Sequence, residues 1–331
     1  MTNVLVVGGS GFIGSHLVER LVSKGYRVAV SVRKNSDISF FKSLRVELRI
    51  GDLLYPNSLR TAFSGVDTVF CLVNVKPAGK SQEEYLKELQ LLHSDGTKNL
   101  LEACTANKIK RLIYLSSVAA IGYRKDVSVY NELSEEIPID PYGKAKFEAE
   151  CILRKNALDA GIDATILQPP GVFGERGIGA LGKIIFFTEK DILPIMGSGE
   201  NKQSLTYVGN VVNQAIFAAE NRDSSGKTYI VSDDKPYTVN ELIEAVSQAM
   251  KLRPLRIHIP VWLIVFGVSI VNFFGKIFLR KELINMESII AIATERIFDG
   301  SRIFKELNYK QEYDLADGIS RTVRWYHNKN A

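Results

Sequence analysis

Ser117, Tyr142 and Lys146 have the types and spacing for proton-coupled chemistry at a carbon–oxygen bond. Ser117 closes the strand-like run Arg111-Leu112-Ile113-Tyr114-Leu115-Ser116-Ser117, and 25 residues later Tyr142-Gly143-Lys144-Ala145-Lys146 opens a helical stretch. A spacing of four puts Tyr142 and Lys146 on one face of that helix. A nearby ammonium favours phenolate, which predicts that Lys146 lowers the Tyr142 pKa and lets the phenol exchange a proton near neutrality. A serine at a strand's carboxyl end can donate a hydrogen bond to a substrate oxygen as charge builds there. A lone Tyr-x-x-x-Lys would be an ordinary surface pair, so its meaning depends on what else the chain carries.

The chain opens with an apolar strand that runs directly into Gly8-Gly9-Ser10-Gly11-Phe12-Ile13-Gly14 and then a helix. Glycines at 8, 11 and 14 permit a tight turn, approach of a pyrophosphate to the backbone and close packing of helix on strand, and the helix N-terminus adds free N–H groups. Gly8, Ser10, Gly11, Phe12, Ile13 and Gly14 are therefore expected to hold a dinucleotide. The second strand ends Val32-Arg33-Lys34, with no carboxylate for an adenosine ribose. Arg33 and Lys34 suit a 2′-phosphate, so NADP(H) is expected in preference to NAD(H). After the third strand, Asp52 and Leu53 are placed to meet the adenine. Lys146 is expected to serve twice, beside Tyr142 and on the nicotinamide ribose.

These residues need a scaffold that gathers strand ends. Apolar runs at Val4–Val7, Val28–Val32, Val46–Ile50, Thr68–Val73, Leu112–Ser116 and Ala164–Leu167 alternate with helical stretches at Ser15–Ser23, Glu83–Asn107 and Tyr142–Ala160. Continuous apolar strands separated by helices predict a parallel sheet covered on both faces, the doubly wound α/β Rossmann arrangement. After Pro169-Pro170 the pattern breaks into Gly-rich turns and helices such as Val239–Lys251. The expectation is a dinucleotide-binding domain over 1–168 and a smaller substrate domain over 169–331, interleaved with the first.

Together, Gly8–Gly14, Gly51-Asp52-Leu53, Asp95-Gly96-Thr97-Lys98-Asn99-Leu100-Leu101, Ser116-Ser117 and Tyr142–Lys146 resemble the motif series of extended short-chain dehydrogenases over essentially the whole chain. Gly171-Val172-Phe173-Gly174-Glu175, Tyr207-Val208-Gly209-Asn210-Val211 and Ile259-Pro260-Val261-Trp262 are most similar to the 3β-hydroxysteroid dehydrogenase and dihydroflavonol reductase branch. The resemblance implies Tyr142 as acid/base, Lys146 as its partner and Ser117 as the residue that orients the substrate oxygen. The chain departs from the family at Cys71-Leu72-Val73-Asn74, where His-x-Ala-Ala is common, and at His93, where an Asn usually precedes the Gly-Thr.

The leading expectation is interconversion of a secondary alcohol and a ketone on an apolar substrate of steroid, flavonoid or acyl type. Nucleotide-sugar epimerisation is the alternative, although Gln203 stands where related sugar enzymes usually bring an Arg to the diphosphate. Dehydration is disfavoured, because Val118-Ala119 fill the places of an Asp-Glu pair. A cofactor-binding sensor without activity is the third reading, and the intact trio speaks against it.

Composition narrows the partners. A formal charge of +5, with the basic residues scattered, does not suggest nucleic acid. Cys71, Cys104 and Cys151 have no CxxC pairing and read as reduced, buried thiols, and the four histidines have no metal-ligand spacing, so neither disulfide nor metal is expected. No secretory signal opens the chain, and a cytoplasmic enzyme, with room for a homodimer, is expected. Ile259–Leu279 has the length of a membrane span but is interrupted by Pro260, Asn272, Lys276 and two glycines. It is expected to cover an apolar cleft or to lie on a bilayer surface, with Arg280-Lys281 toward anionic headgroups.

Overall fold

A computed structural model describes residues 2–330 apart from 76, 78, 125, 180, 280–282, 285 and 287–292, with backbone alone for 276–279 and 330. The first half alternates strands and helices: β1 (Asn3–Val7), α1 (Phe12–Ser23), β2 (Arg27–Val32), β3 (Val46–Ile50), α2 (Pro56–Ala62), β4 (Thr68–Cys71), α3 (Gln82–His93), α4 (Asp95–Ala106) and β5 (Arg111–Leu115). A short strand β6 (Val129–Tyr130), α5 (Pro141–Asn156) and β7 (Asp163–Gln168) follow. Beyond it come β8 (Gly171–Phe173), α6 (Leu181–Glu189), β9 (Ile192–Met196), β10 (Lys202–Gln203), β11 (Leu205–Tyr207), α7 (Val208–Glu220), β12 (Thr228–Ile230), β13 (Tyr237–Thr238) and α8 (Val239–Met250). The chain ends with β14 (Leu255–Ile259), α9 (Val261–Leu279), β15 (Ile297–Phe298), α10 (Ser301–Leu307) and α11 (Leu315–Asn330).

The described residues form a seven-stranded sheet in the order β12-β7-β5-β4-β1-β2-β3, all neighbours parallel. Its inner strands are largely apolar on both sides because both faces are covered, whereas the edge strand β3 carries Glu47 and Arg49 and is largely exposed. Val4, Val6, Val28 and Val30 pack with Leu17 and Leu21 of α1, while Leu5, Val7, Val69 and Leu112 pack with Leu100 of α4 and Leu153 of α5. The chain is thus a Rossmann-like α/β fold, and its strand order reverses between β1 and β4, where ligands of such sheets gather at the carboxyl ends.

The expected helix over Glu83–Asn107 is two helices. Ser94, at φ −90° and ψ −79°, separates α3 from α4. Above the break the buried His93 bonds Tyr114; below it Asn99 reaches the carbonyl oxygen of Leu53 at 2.6 Å. One straight helix would not aim both side chains inward. The strand expected to run to Val73 stops at Cys71, because the chain turns there past the glycine loop. Cys71 and Cys104 are buried, but Cys151 is exposed: its position on α5 faces solvent, so the expectation of three buried thiols fails there.

Past residue 169 the structure adds short strand pairs, β8 with β11, β9 with β14, β10 with β13 and β6 with β15. β12 returns to the main sheet and pairs with β7. Buried Asp233 accepts hydrogen bonds from Thr206, Asn210 and Tyr237, which fixes β11 and the start of α7 against β13.

The turn from β1 into α1 is tight enough to exclude a side chain. A Cβ at Gly14 would lie 2.2 Å from the carbonyl oxygen of Gly8. Gly14→Ala should therefore destabilise the protein by about 1–3 kcal/mol, as overpacking does. Urea unfolding of the variant beside wild type measures it.

Candidate active site

The carboxyl ends of β1, β4 and β5 face the first turn of α5 across a common space. At one side, Gly8 turns the chain with φ +88°, and the N–H of Gly11 donates to the carbonyl oxygen of Gly8 at 3.1 Å. The first N–H groups of α1, on Phe12, Ile13 and Gly14, have no carbonyl of their own helix to bond and point out of its positive end. Ser10, exposed beside them, and Gly11 complete a cradle that a β-carbon would fill. The donor set fits a pyrophosphate.

At the end of β2, Val32 is buried and the Arg33 side chain is 68% exposed, with its guanidinium 3.9 Å from Glu88, whose carboxylate also pairs with Lys80. Lys34 is exposed beside it. After β3, Asp52 accepts from the N–H of Leu54 at 3.0 Å, which shapes the turn, and Leu53 is buried under the carboxamide of Asn99. The Asp95–Leu101 motif therefore acts from below, by holding the β3 turn in place.

The three catalytic candidates come together. Asp140 caps α5 by accepting the N–H of Gly143 at 2.8 Å, and Pro141 suits the first helical position. A Cβ at Gly143 would sit 2.3 Å from the carbonyl oxygen of Ala119, so glycine is what lets α5 close on the turn Val118–Ala120 that follows Ser117. Tyr142 is thereby brought beside Ser117, whose hydroxyl favours the phenolate. Lys146, 2% exposed, extends beneath them and donates from Nζ to the carbonyl oxygens of Leu115 at 3.1 Å and Val73 at 3.2 Å. Its Nζ lies 6.0 Å from the centre of the Tyr142 ring.

The electrostatics differ from the sequence expectation. Burial pushes the Tyr142 phenol up to about 12, the hydrogen bond from Ser117 opposes this, and Lys146 is not among the groups that move it. The phenol is thus held protonated, because burial outweighs the groups that would favour its anion. Burial also lowers Lys146 to about 8, opposed by Cys71 and Glu150. His93 bonds Tyr114 Oη at 3.1 Å and is driven down to about 2 by burial and by the Lys146 charge, so it stays neutral beside the site.

Two residues escaped the sequence reading. Glu150 is fully buried one turn beyond Lys146, accepts hydrogen bonds from Ser116, Gln168 and Arg154, and is raised to about 7 by burial. It ties α5 to the ends of β5 and β7. The signal was present: Tyr142, Lys146 and Glu150 recur every fourth residue and share one helical face. Arg296 is the second. Its guanidinium stacks 3.5 Å over the Tyr123 ring, just past the Ser117 turn, and its Nε is buried without a hydrogen-bond partner among the described residues. Its backbone pairs with Lys202 and Ser204, so it sits beside Gln203, which donates to the carbonyl oxygen of Thr294 at 2.6 Å. Only the fold brings 296 to 203.

Residues 4–232 match the profile of the NAD dependent epimerase/dehydratase family. The chain belongs to that family. It is an enzyme of the extended short-chain dehydrogenase type, dependent on a nicotinamide dinucleotide. Over 328 residues, 98% of this chain and 95% of the relative, it is 27% identical to N-acetyl-alpha-D-glucosaminyl-diphospho-ditrans,octacis-undecaprenol 4-epimerase of Escherichia coli O157:H7. It is also 27% identical, over 97% of this chain and 92% of the relative, to the decarboxylating sterol-4-alpha-carboxylate 3-dehydrogenase of Bos taurus. Among solved structures, UDP-glucose 4-epimerase of Thermotoga maritima with UDP-glucose shares the fold at a TM-score of 0.76, with 22% identity and all of both chains covered.

The buried lysine sets a pH dependence. Steps that use the Lys146 ammonium should be intact below about pH 8 and fade as pH rises through it. Glu150→Gln removes a negative charge that favours the ammonium, so the alkaline limb of kcat/KM should move to lower pH. A pH–rate profile of both proteins provides the check.

Proposed function

We propose that this enzyme interconverts a secondary alcohol and a ketone on a substrate with a large apolar body, using NADP(H). The observation that carries the reading is the convergence of Ser117, Tyr142 and buried Lys146 on one space at the sheet's carboxyl edge. The glycine turn, with Gly8, Ser10, Gly11, Phe12, Ile13 and Gly14, holds the pyrophosphate; Asp52 and Leu53 border the adenine; Arg33 and Lys34 meet the 2′-phosphate. The nicotinamide supplies or accepts the hydride when bound.

The chain's own residues handle the proton and the charge. Ser117 donates to the substrate oxygen and fixes it against Tyr142. A phenol held protonated at neutral pH is suited to give its proton to that oxygen as the carbonyl is reduced, and to take it back in the reverse direction. Lys146 binds the nicotinamide ribose and keeps a positive charge below the developing oxyanion. Two of the relatives bear on the substrate: one is named for a sterol and the other for an undecaprenol, both with extended apolar bodies. Gln203, engaged with Thr294, cannot clamp a diphosphate as a bidentate arginine does.

One observation favours a second reading, epimerisation of a diphosphate-linked sugar. Arg296 stands beside Gln203 with a buried Nε that has no hydrogen-bond partner among the described residues, and supplies the cation that position 203 lacks. Thermal-shift screening with NADP(H) present separates the two. Stabilisation by steroid, flavonoid or medium-chain keto compounds supports the first. Stabilisation by UDP-sugars alone, lost in Arg296→Ala, replaces it with the second.

Tyr142→Phe should lower turnover by about 10²–10⁴-fold with cofactor binding nearly unchanged, whereas Lys146→Met should impair both. Steady-state rates beside cofactor titration decide this, and a Tyr142→Phe enzyme of wild-type speed would remove the mechanism. Arg33→Ala should weaken NADP(H) about tenfold or more while leaving NAD(H) nearly unaffected, since it deletes charge-assisted bonds made to the 2′-phosphate only. Calorimetric titration of wild type and variant with each cofactor measures it; tighter binding of NAD(H) by wild type refutes the preference.

A further inference from the structure

α9 presents an apolar face that the rest of the described protein does not cover. Trp262, Leu263, Phe266, Ile270, Phe273 and Phe274 are all exposed, Trp262 at 70%. At 100° per residue they fall within an arc of about 120°. The polar side chain at the edge of this arc, Ser269, is turned back onto the carbonyl oxygen of Val265 at 2.8 Å. Val268, Asn272 and Gly275 lie on the opposite side and are buried. The exposed rings lie on the side of the helix opposite the one that packs.

The apolar surface continues onto the ribbon that feeds the helix. Leu255 and Ile257 of β14 are exposed, and Leu255 pairs with the exposed Ile192 of β9. A contiguous uncovered apolar patch on a protein surface marks a contact surface.

Its charge surroundings say which contact. From Lys251 to Lys281 the chain carries Lys251, Arg253, Arg256, Lys276, Arg280 and Lys281 and no aspartate or glutamate. Lys251 and Arg253 are exposed at the approach to β14, and Arg256 is shared with Glu244; Arg280 and Lys281, and the side chain of Lys276, lie outside the described residues. Exposed aromatic rings on a stretch of chain rich in lysine and arginine match a bilayer surface, where rings enter the headgroup boundary and cations meet anionic lipid. A second copy of the chain placed symmetrically on this face would bring the same cations together.

The helix is also held flat. β14 is tied to β9 at one end, and near the other Asn272 accepts the N–H groups of Leu283 and Ile284 and donates to the carbonyl oxygen of Ile284. Among the described residues no helix is long and apolar enough to cross a membrane. We propose that the exposed face of α9, in a stretch of chain whose charged residues from 251 to 281 are all basic, docks the enzyme on the surface of an anionic lipid bilayer. This stands independently of the substrate reading.

The test is flotation of the full chain with vesicles of phosphatidylcholine alone and with roughly one third phosphatidylglycerol. The protein should float with the anionic vesicles, less with the neutral ones, and less again in high salt. Phe266→Ser with Phe273→Ser should stay at the bottom while still binding NADP(H), each lost ring weakening partition by roughly tenfold or more. Trp262 gives a second readout: its emission should shift to the blue on adding anionic vesicles, and Trp262→Phe should abolish the shift although Trp325 remains. Wild type that stays at the bottom with both vesicles, a double variant that floats like wild type, or a dimer that the double variant dissolves while neither protein floats would overturn the proposal. So would resistance of the cell-expressed protein to carbonate extraction, which belongs to a spanning helix.

Discussion

An ammonium taken out of water costs several kcal/mol unless fixed dipoles replace its hydration. For Lys146 those dipoles are the backbone carbonyls of Val73 and Leu115, one just past β4 and the other at the end of β5. β4 and β5 are neighbouring strands of the sheet, and the two carbonyls lie where its carboxyl edge passes into the loops, Val73 two residues beyond β4 and Leu115 at the end of β5. The helix that carries the lysine must then lie at one height over the strand ends. Glu150 bonds Ser116 and Gln168 from the next turn of the same helix, and the small residue at 143 lets the first turn seat against Ala119. Tyr142 has little freedom left.

This arrangement also explains why the phenol is protonated. A group that must hand over a proton should not lose it to solvent beforehand, and burial supplies that protection at the cost of making the anion harder to form. In the proposed mechanism Ser117, which opposes the effect of burial on the phenol, is also the residue that orients the substrate oxygen, so proton transfer and charge stabilisation share one pair of hydroxyls. His93 keeps neutral company here, because a second cation beside Lys146 would be unfavourable in so dry a setting.

Much of this was legible before any coordinates. The strand–glycine turn–helix opening, the alternation of apolar runs and helices, and the four-residue step from Tyr142 to Lys146 are short-range patterns, and each depends on residues close in sequence. What could not be read depends on long-range placement. Burial decides the direction of the tyrosine shift, and helical spacing does not show how deeply Tyr142 is buried. Arg296 reaches Tyr123 only after the chain has crossed the molecule. The break at Ser94 follows from two demands, on His93 and Asn99, made by different parts of the sheet. The aromatic rings of 259–279 were visible as a run, but which side of the helix meets protein depends on Asn272 and the residues it holds.

The position of β12 bears on how the chain acquires its structure. Thr228–Ile230 supplies the last strand of the sheet, and until it arrives the outer edge of β7 presents unpaired N–H and C=O groups, the kind of edge that invites pairing with another chain. During synthesis about sixty residues separate the emergence of β7 from that of its partner, an interval of several seconds or more at ordinary elongation rates. A nascent chain halted between 168 and 228 would carry a nearly complete sheet with one open, apolar border. The same holds for a protein cut there by a protease, so the fragment that keeps every residue of the glycine turn and the Ser-Tyr-Lys trio should aggregate rather than persist as a small working enzyme.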